Sequence, residues 1–279
     1  MIGETGENVV KAEAVTSPAN PLLKEVRRAI ARGARTEEGY CVAESFHLLE
    51  EALGSGCAIG AVLAAEAVQS AVEAQLRRRP GTRLVVLADA LFRSLSDTEA
   101  AQGVMALVRP PEWELERIFA GQAEACPTNC PLVVVLDGVQ DPGNAGAIVR
   151  TAEAFGATGL IFLKGTVSPY NPKAVRASAG SVFRVPLVAG IEAEPARAAL
   201  KGHGLDVYAA APSGAKDLGQ ACLTRACAFV IGSEGRGVSP EWSAGAAGLR
   251  IPTSGVESLN AATAAAILLY EARRQRSRA

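Results

Sequence analysis

The sequence predicts an α/β protein with two domains, a small α/β domain followed by a larger one built on a mostly parallel sheet with helices on both sides. Segments typical of strands and of helices alternate along most of the 279 residues. A change in composition between Pro110 and Pro131 divides the chain into two parts. The second part opens with PLVVVLDGV, an apolar run typical of a strand buried on both faces of a parallel sheet.

The composition limits the possible classes of function. A hydrophobic content of 49% supports a sizeable core, and a net charge of −1 means that nucleic-acid binding would depend on local basic patches. The six cysteines form no C-x-x-C pair, and the C-x-x-x-C spacing of Cys126 and Cys130 has no histidine nearby. We therefore expect reduced thiols and no metal site. No segment resembles a signal peptide or approaches the roughly 18 apolar residues of a membrane helix, which favours a cytoplasmic protein without a membrane partner.

The first part of the chain is predicted to be a tail followed by a small domain. Residues 1–18 are polar and are expected to be disordered. Residues 19–112 alternate between helix and strand patterns, beginning with the amphipathic helix NPLLKEVRRAIARGAR. That helix carries the basic residues Lys24, Arg27, Arg28, Arg32 and Arg35. They indicate either a phosphate-binding face for RNA or a solvated helix face.

Residues 113–130 are proline-rich at both ends and are predicted to form a linker, with about one helical turn or more. Residues 131–279 are predicted to form the second domain, with the strands PLVVVLDGV, GLIFL, VFRVPLV, LDVYAAA, CAFVIG and GLRIP separated by helices and closed by a terminal helix. Because ligands of such sheets bind beyond the carboxyl ends of the strands, the loops that follow the strands are the informative ones.

Three of these loops are rich in glycine and polar residues. LDGVQDPGNAGAIVR leads into a helix that carries Arg150, either as a functional residue or as a surface partner of Glu153. VIGSEGRGVSPE predicts a tight turn that either wraps a ligand or is an ordinary turn. In IPTSGVESLN, Ser258 is a candidate helix cap, and Asn260 is either a polar ligand contact or a variant of the cap.

These three loops, taken together, resemble the motifs of the SpoU-type (TrmH family) RNA ribose 2′-O-methyltransferases of the SPOUT superclass. NAGAIVRTAEAFG resembles the first motif with Asn144 and Arg150, VIGSEGRGVS the second with Glu234, and IPTSGVESLNAATAAAILLYE the third with Ser258, Leu259 and Asn260. Residues 20–110 resemble the L30e-like RNA-binding domain attached to many members, although the family often has Glu-Gly where this chain has Glu44-Ser45.

The resemblance implies a trefoil knot in the second domain, a homodimer, and S-adenosylmethionine as the cofactor. It implies that Gly232, Ile251 and Leu259 contact the cofactor, largely through backbone groups. The residues that the resemblance places in the catalytic site are Arg150, Asn144, Glu234, Ser258 and Asn260.

Physical chemistry suggests a role for each of these residues. An arginine with a pKa above about 12 is a poor base, so we expect Arg150 to hold the RNA phosphate next to the reacting ribose. Asn144 is expected to orient the hydroxyl or to face the cofactor, and Glu234 and Asn260 are expected to order the loops. Positioning of this kind can supply several kcal/mol.

Two other classes of protein fit the sequence less well. A different nucleotide-binding α/β enzyme would need a phosphate loop, which this sequence lacks. A non-catalytic RNA-binding protein would be expected to have lost Arg150, Glu234 or Asn260, and all three are present. The two-domain layout favours ribosomal RNA, specifically 23S, over tRNA as the substrate.

Overall fold

The computed structural model describes residues 12–77, 79, 81–120 and 130–278. It divides into two compact units, Met1–Pro111 with Tyr170–Phe183, and Glu112–Pro169 with Arg184–Ala279. Among the described residues no helix is long and apolar enough to cross a membrane. The described part of the chain also has no cluster of three or more His, Cys, Asp or Glu side chains suited to a metal ion.

The first unit is built on a mixed five-stranded sheet with the order β1-β4-β3-β5-β2, in which β5 runs antiparallel to β2 and β3. Its strands are β1 (Ala12–Val15), β2 (Cys41–Glu44), β3 (Ala58–Ala65), β4 (Leu84–Leu87) and β5 (Val104–Arg109). Its helices are α1 (Pro21–Arg32), α2 (Phe46–Gly54), α3 (Gln69–Leu76), α4 (Asp89–Arg93) and, from the second segment of the unit, α6 (Pro172–Ala177).

The tail is shorter than the sequence analysis predicted. Ala12–Val15 pair in parallel with β4 as an edge strand, so the expected disorder does not hold for these residues. Their backbone groups gain partners on the open edge of the sheet, which the polar composition alone could not reveal. Residues 1–11 lie outside the described part of the chain.

Ser45 stands where the related family often has glycine. Its φ of 152° lies in a region that favours glycine, yet its side-chain oxygen accepts a hydrogen bond from the backbone N–H of Leu48 at 3.1 Å. The serine therefore caps α2 at the cost of an unfavourable backbone angle.

Tyr170–Phe183 groups with the first unit, whereas the sequence analysis placed these residues in the second domain. Lys173 lies 3.5 Å from Asp97, and Arg176 lies 3.6 Å from the buried carboxylate of Glu44. The segment lies between two strands of the other sheet in the sequence, and only these long-range contacts reveal where it packs.

The second unit is built on a parallel seven-stranded sheet with the order β10-β12-β9-β11-β6-β7-β8. Its strands are β6 (Leu132–Asp137), β7 (Gly159–Leu163), β8 (Leu187–Ile191), β9 (Asp206–Ala210), β10 (Lys216–Asp217), β11 (Cys227–Gly232) and β12 (Ala247–Arg250). Its helices are α5 (Pro142–Ala154), α7 (Ala193–Gly202), α8 (Pro240–Ser243) and α9 (Ala261–Arg276).

The terminal helix is fixed by packing along its length and by hydrogen bonds at its last residue. α9 packs against α5 and β11. At its last residue the buried guanidinium of Arg276 donates hydrogen bonds to the carbonyl oxygens of Cys130, Pro131, Leu223 and Arg225. The helix therefore holds the start of β6 and the chain entering β11.

Part of the predicted linker belongs to the core of this unit. Ile118 is fully buried and Phe119 is 6% exposed, and both join the apolar cluster on one face of the sheet. The predicted helical turn is present as a short 3₁₀ helix, Leu115–Ile118. Residues 121–129, which include Cys126, lie outside the described part of the chain.

Candidate functional site

The three loops singled out in the sequence follow β6, β11 and β12. All three strands belong to the parallel sheet, so their carboxyl ends lie at the same edge. β6 and β11 are direct neighbours, with Asp137 paired in register with Gly232.

The loop after β6 is held in place by side chains that sequence analysis did not single out. The hydroxyl of Thr166 accepts a hydrogen bond from the N–H of Gly138 at 3.0 Å, and Gln140 donates to the carbonyl of Gly165 at 2.6 Å. Asp141 then caps α5, because its carboxylate accepts from the backbone N–H of Asn144 at 2.7 Å. A capping aspartate before proline is a sequence signal that could have identified this boundary.

The loop after β11 is a closed turn. Ser233 and Gly237 exchange two backbone hydrogen bonds, of 3.1 Å and 2.9 Å. A Cβ atom at Gly232 would collide with the backbone of Gly237 and Val238, so only glycine fits there. The turn presents Glu234 near its tip.

A chain of side-chain hydrogen bonds joins the three loops. Asn144 donates from Nδ2 to Oε1 of Glu234 at 2.7 Å. Asn260 donates from Nδ2 to Oδ1 of Asn144 at 2.9 Å. One residue from each motif therefore meets at this edge of the sheet, and we call these three residues the amide network.

The amide network gives Asn144 a role that the sequence analysis did not assign. Both ends of the Asn144 amide have partners within the protein, so Asn144 links the second and third loops. Spacing in the sequence could not reveal this, because the partners lie 90 and 116 residues away.

Asn260 is the cap of α9, and Ser258 is not. The side-chain oxygen of Asn260 accepts hydrogen bonds from the N–H groups of Ala262 and Thr263, at 2.9 Å and 3.2 Å. The helix begins at Ala261, so Ser258 is too far from its first turn to act as the cap. Ser258 is exposed, and Asn260 caps the helix and also joins the amide network.

Arg150 lies on α5 with an exposed side chain and has no hydrogen-bond or ion-pair partner among the described residues. The surface-pair alternative is wrong, because Glu153 instead holds Arg184 through two hydrogen bonds of 2.6 Å and 2.9 Å. The side chain of Arg236, in the loop after β11, is likewise exposed and has no such partner in the described part of the chain. The guanidinium groups of Arg150 and Arg236 can therefore accept an anionic ligand.

Of the three residues expected to contact a cofactor, two lie at the ends of β11 and β12, and Leu259 directly precedes Asn260, the cap of α9. Gly232 is the last residue of β11, and Ile251 follows β12 directly. Ile251 and Leu259 are both half-buried, which leaves apolar surface beside the backbone of the loops.

Comparison with known proteins supplies the family. Residues 131–270 match the SpoU rRNA Methylase family, and residues 20–106 match the MRM3-like substrate binding domain. The chain belongs to the SpoU rRNA methylase family. The family assigned from the three motifs is thus confirmed.

Relatives of similar length share both parts of this SpoU protein. An uncharacterized tRNA/rRNA methyltransferase of Synechocystis is 32% identical, over 94% of this chain and 93% of the relative. The Bacillus subtilis 23S rRNA (guanosine(2553)-2'-O)-methyltransferase RlmP is 29% identical, over 93% of this chain and 98% of the relative. The AdoMet-bound rRNA methyltransferase of Sinorhizobium meliloti is 30% identical and superposes with a TM-score of 0.79, over 94% of this chain and 98% of that one.

The protein is therefore an S-adenosylmethionine-dependent RNA methyltransferase of the SpoU family, with a parallel-sheet SPOUT domain and a smaller substrate-binding domain. Its residues fit the cofactor. The glycine turn, with the apolar surfaces of Ile251 and Leu259, offers backbone groups for a polar ligand and apolar contacts for an adenine ring.

The predicted RNA-binding residues of the substrate-binding domain have different surroundings. Lys24, Arg28 and Arg32 are exposed at i, i+4 spacing along α1, and Arg28 is ion-paired with Glu37. Arg27 is partly buried and donates to the carbonyl of Pro18 at 2.8 Å, and Arg35 stacks on the ring of Tyr170 at 4.8 Å. We call Lys24, Arg28 and Arg32 the basic stripe.

Proposed function

We propose that this SpoU protein methylates the 2′-hydroxyl of a ribose in 23S ribosomal RNA. The observation that carries the proposal is the position of Arg150 on the helix whose first turn is tied to the amide network. The 2′-O specificity of the Bacillus subtilis relative supports it, as does that relative's 23S substrate.

The residues of the chain bring the reacting groups together. Arg150 and Arg236 are exposed cations without ionic partners among the described residues, and we propose that they bind RNA phosphates beside the target ribose. A guanidinium is not a base at neutral pH, so Arg150 acts by fixing the ribose and by favouring the anionic form of its hydroxyl. The bound cofactor supplies a methyl group on a sulfonium centre.

The amide network holds the three loops in fixed positions relative to one another around the cofactor. Because Asn144 satisfies Glu234 and Asn260 at once, loss of any member leaves a polar group without its partner. Gly232, Ile251 and Leu259 hold the cofactor in this proposal, and Ser258 contributes an exposed hydroxyl next to them.

The remaining expectations from the family resemblance belong to the same proposal. We propose that residues 131–279 contain a trefoil knot, that the protein works as a homodimer, and that it acts in the cytoplasm, where ribosomal RNA is modified. The domain bounds are now proposed as residues 12–111 for substrate binding and residues 112–279 for methyl transfer, with Tyr170–Phe183 packed in the first unit.

The proposal is tested with the purified protein, S-adenosylmethionine, and either 23S rRNA or tRNA. Alkaline cleavage requires a free 2′-hydroxyl to attack the adjacent phosphate, so the treated 23S rRNA should show one missing rung in an alkaline ladder. The gap should require both the protein and the cofactor. Methyl incorporation with a complete ladder would mean base methylation, and a gap in tRNA alone would assign the other substrate.

A further inference from the structure

The carboxylate of Asp137 binds the backbone that follows the Glu234 turn. Asp137 ends β6, and its Oδ2 accepts a hydrogen bond from the backbone N–H of Ser239 at 2.7 Å. The loop leaves the sheet at Gly232, which is paired in register with Asp137. One residue of β6 therefore contacts the loop both where it leaves the sheet and where it returns.

Between these two points, few other hydrogen bonds among the described residues join the loop to the sheet. Ser233 and Gly237 bond to one another, which closes the turn but does not fix its direction. Glu234 bonds to Asn144 beyond the tip. Val238 packs against the apolar core, and the hydrogen bond from Ser239 to Asp137 adds a polar contact between the residues after the turn and the core strands.

We propose that Asp137 is a positioning residue for methyl transfer, which keeps Glu234 within hydrogen-bonding distance of Asn144 by anchoring Ser239. The inference rests on the proposed function, because its effect on turnover requires the site to act on RNA. Asp137 lies outside the three motifs taken from the family resemblance, and Ser239 is the last residue of the second motif but was given no role there.

A charged acceptor on a rigid strand can fix the position of a more mobile loop. Hydrogen bonds to charged groups are stronger than neutral ones, and β6 lies inside the sheet between β11 and β7. Without this anchor the backbone after the turn loses its polar contact with β6 and depends on apolar packing such as that of Val238, so Glu234 is held less firmly. A displacement of about 1 Å at a catalytic site can lower turnover about a hundredfold.

The structure offers a way to remove the same hydrogen bond from either side. Asp137→Ala removes the acceptor. Asp137→Asn keeps an acceptor oxygen, and the other carboxylate oxygen of Asp137 has no hydrogen-bond partner among the described residues, so the new amide nitrogen displaces none. Ser239→Pro removes the donor, and Ser239 already has the proline-compatible angles φ −62° and ψ 155°.

The experiment compares wild type, these three variants and the double variant Asp137→Ala with Ser239→Pro in the full-length protein. Asp137→Ala and Ser239→Pro should each lower kcat by about tenfold or more, as expected for a charged hydrogen bond. The KM for RNA and cooperative unfolding should stay close to wild type. The double variant should be no slower than the slower single variant, because both changes remove one interaction. Asp137→Asn should recover part of the lost turnover, because its neutral oxygen accepts the same hydrogen bond more weakly.

Hydrogen exchange followed by mass spectrometry gives a second measurement that does not depend on activity. Residues 232–239 should exchange faster in Asp137→Ala than in wild type, and Asp137→Asn should restore protection. If wild type methylates no RNA, the proposed function fails, and this exchange measurement still decides whether Asp137 anchors the loop.

Three results would overturn the inference. One is wild-type turnover in Asp137→Ala when the wild-type protein is active. A second is an effect of Asp137→Asn as large as that of Asp137→Ala, which would point to the charge of Asp137 acting directly on a ligand. The third is unchanged exchange of the loop in Asp137→Ala. If Ser239→Pro fails to fold, the comparison of the two Asp137 variants still gives a decision.

Discussion

The side chain of Asn260 serves α9 through its oxygen and the amide network through its nitrogen. These two contributions can be separated, because aspartate caps helices about as well as asparagine but cannot donate to Asn144. If the Asn144 amide flipped to donate toward residue 260, its oxygen would face the carboxylate of Glu234. Neither orientation of Asn144 is therefore compatible with an aspartate at position 260.

We expect Asn260→Asp to keep the stability of the protein close to wild type and to lower turnover strongly. Asn260→Ala should lower turnover and also reduce the free energy of unfolding by about 1 kcal/mol, because the cap is lost. Urea unfolding and methyl-transfer kinetics on both variants provide the measurement. Equal turnover in Asn260→Asp and wild type would reduce Asn260 to a helix cap.

The side chain of Arg150 is predicted to be essential for turnover. Arg150→Ala should abolish turnover and leave the affinity for S-adenosylmethionine nearly unchanged, because its proposed partners are RNA groups. Arg150→Lys should recover little, since an ammonium lacks the planar pair of donors. Turnover assays and calorimetric titration with S-adenosylmethionine measure the two quantities.

Arg225, which lies 3.8 Å from Asp206 at the amino-terminal edge of the same sheet, provides a control for Arg150. Arg225 is exposed and precedes β11, whereas the proposed site follows that strand. Arg225→Ala should keep near-normal turnover. Similar losses in Arg225→Ala and Arg150→Ala would indicate an effect of overall charge.

At the scale of elements, α1 presents the basic stripe to solvent and buries Leu23, Val26 and Ala29 on its other face. Asn20 caps the helix, accepting from Leu22 N–H at 2.9 Å, and Gly33 ends it with a φ of 59°. The helix therefore holds the stripe in a fixed orientation. Because the side chain of Arg27 is bonded to the carbonyl of Pro18, the residues of the stripe are better candidates for phosphate contacts than Arg27.

Reversing one charge of the stripe should weaken RNA binding and its dependence on salt. Arg32 is exposed and has no ionic partner among the described residues. Arg32→Glu should reduce the slope of log affinity against log salt by about 0.7, the value for one lost phosphate contact on a single strand. Arg93→Glu, at the end of α4 in the same unit, is the control. Equal effects of the two variants would make the stripe an ordinary solvated face.

At the scale of the whole molecule, the segment between the predicted domains contributes to the core. Ile118 packs closely against β7. A Cβ atom added at Gly159 of this strand would lie 2.8 Å from Cδ1 of Ile118. A fragment that starts at Pro131, which the linker assignment would favour, lacks this side chain and also that of Phe119. It would leave part of the sheet face uncovered.

Ile118→Ala should lower the free energy of unfolding by about 2–5 kcal/mol, the usual cost of a large-to-small change at a fully buried position. Arg117→Ala changes an exposed neighbour and should shift it by no more than about 0.5 kcal/mol. Denaturant unfolding of the full-length variants measures both. Equal stability of the two variants would restore the interpretation of residues 113–120 as a linker.

The sequence by itself determined the fold class, the order of most elements, and the three loops of the candidate site. Periodicity, capping residues and glycine-rich turns act within a few residues of one another, so they can be recognised along the chain. The tertiary structure alone decided which side chains meet. Asn144 joins Glu234 and Asn260, Glu153 pairs with Arg184 and not with Arg150, and Tyr170–Phe183 packs in the first unit. These partners are far apart in the sequence, and their distances follow from the packing of whole sheets and helices, which no local pattern encodes.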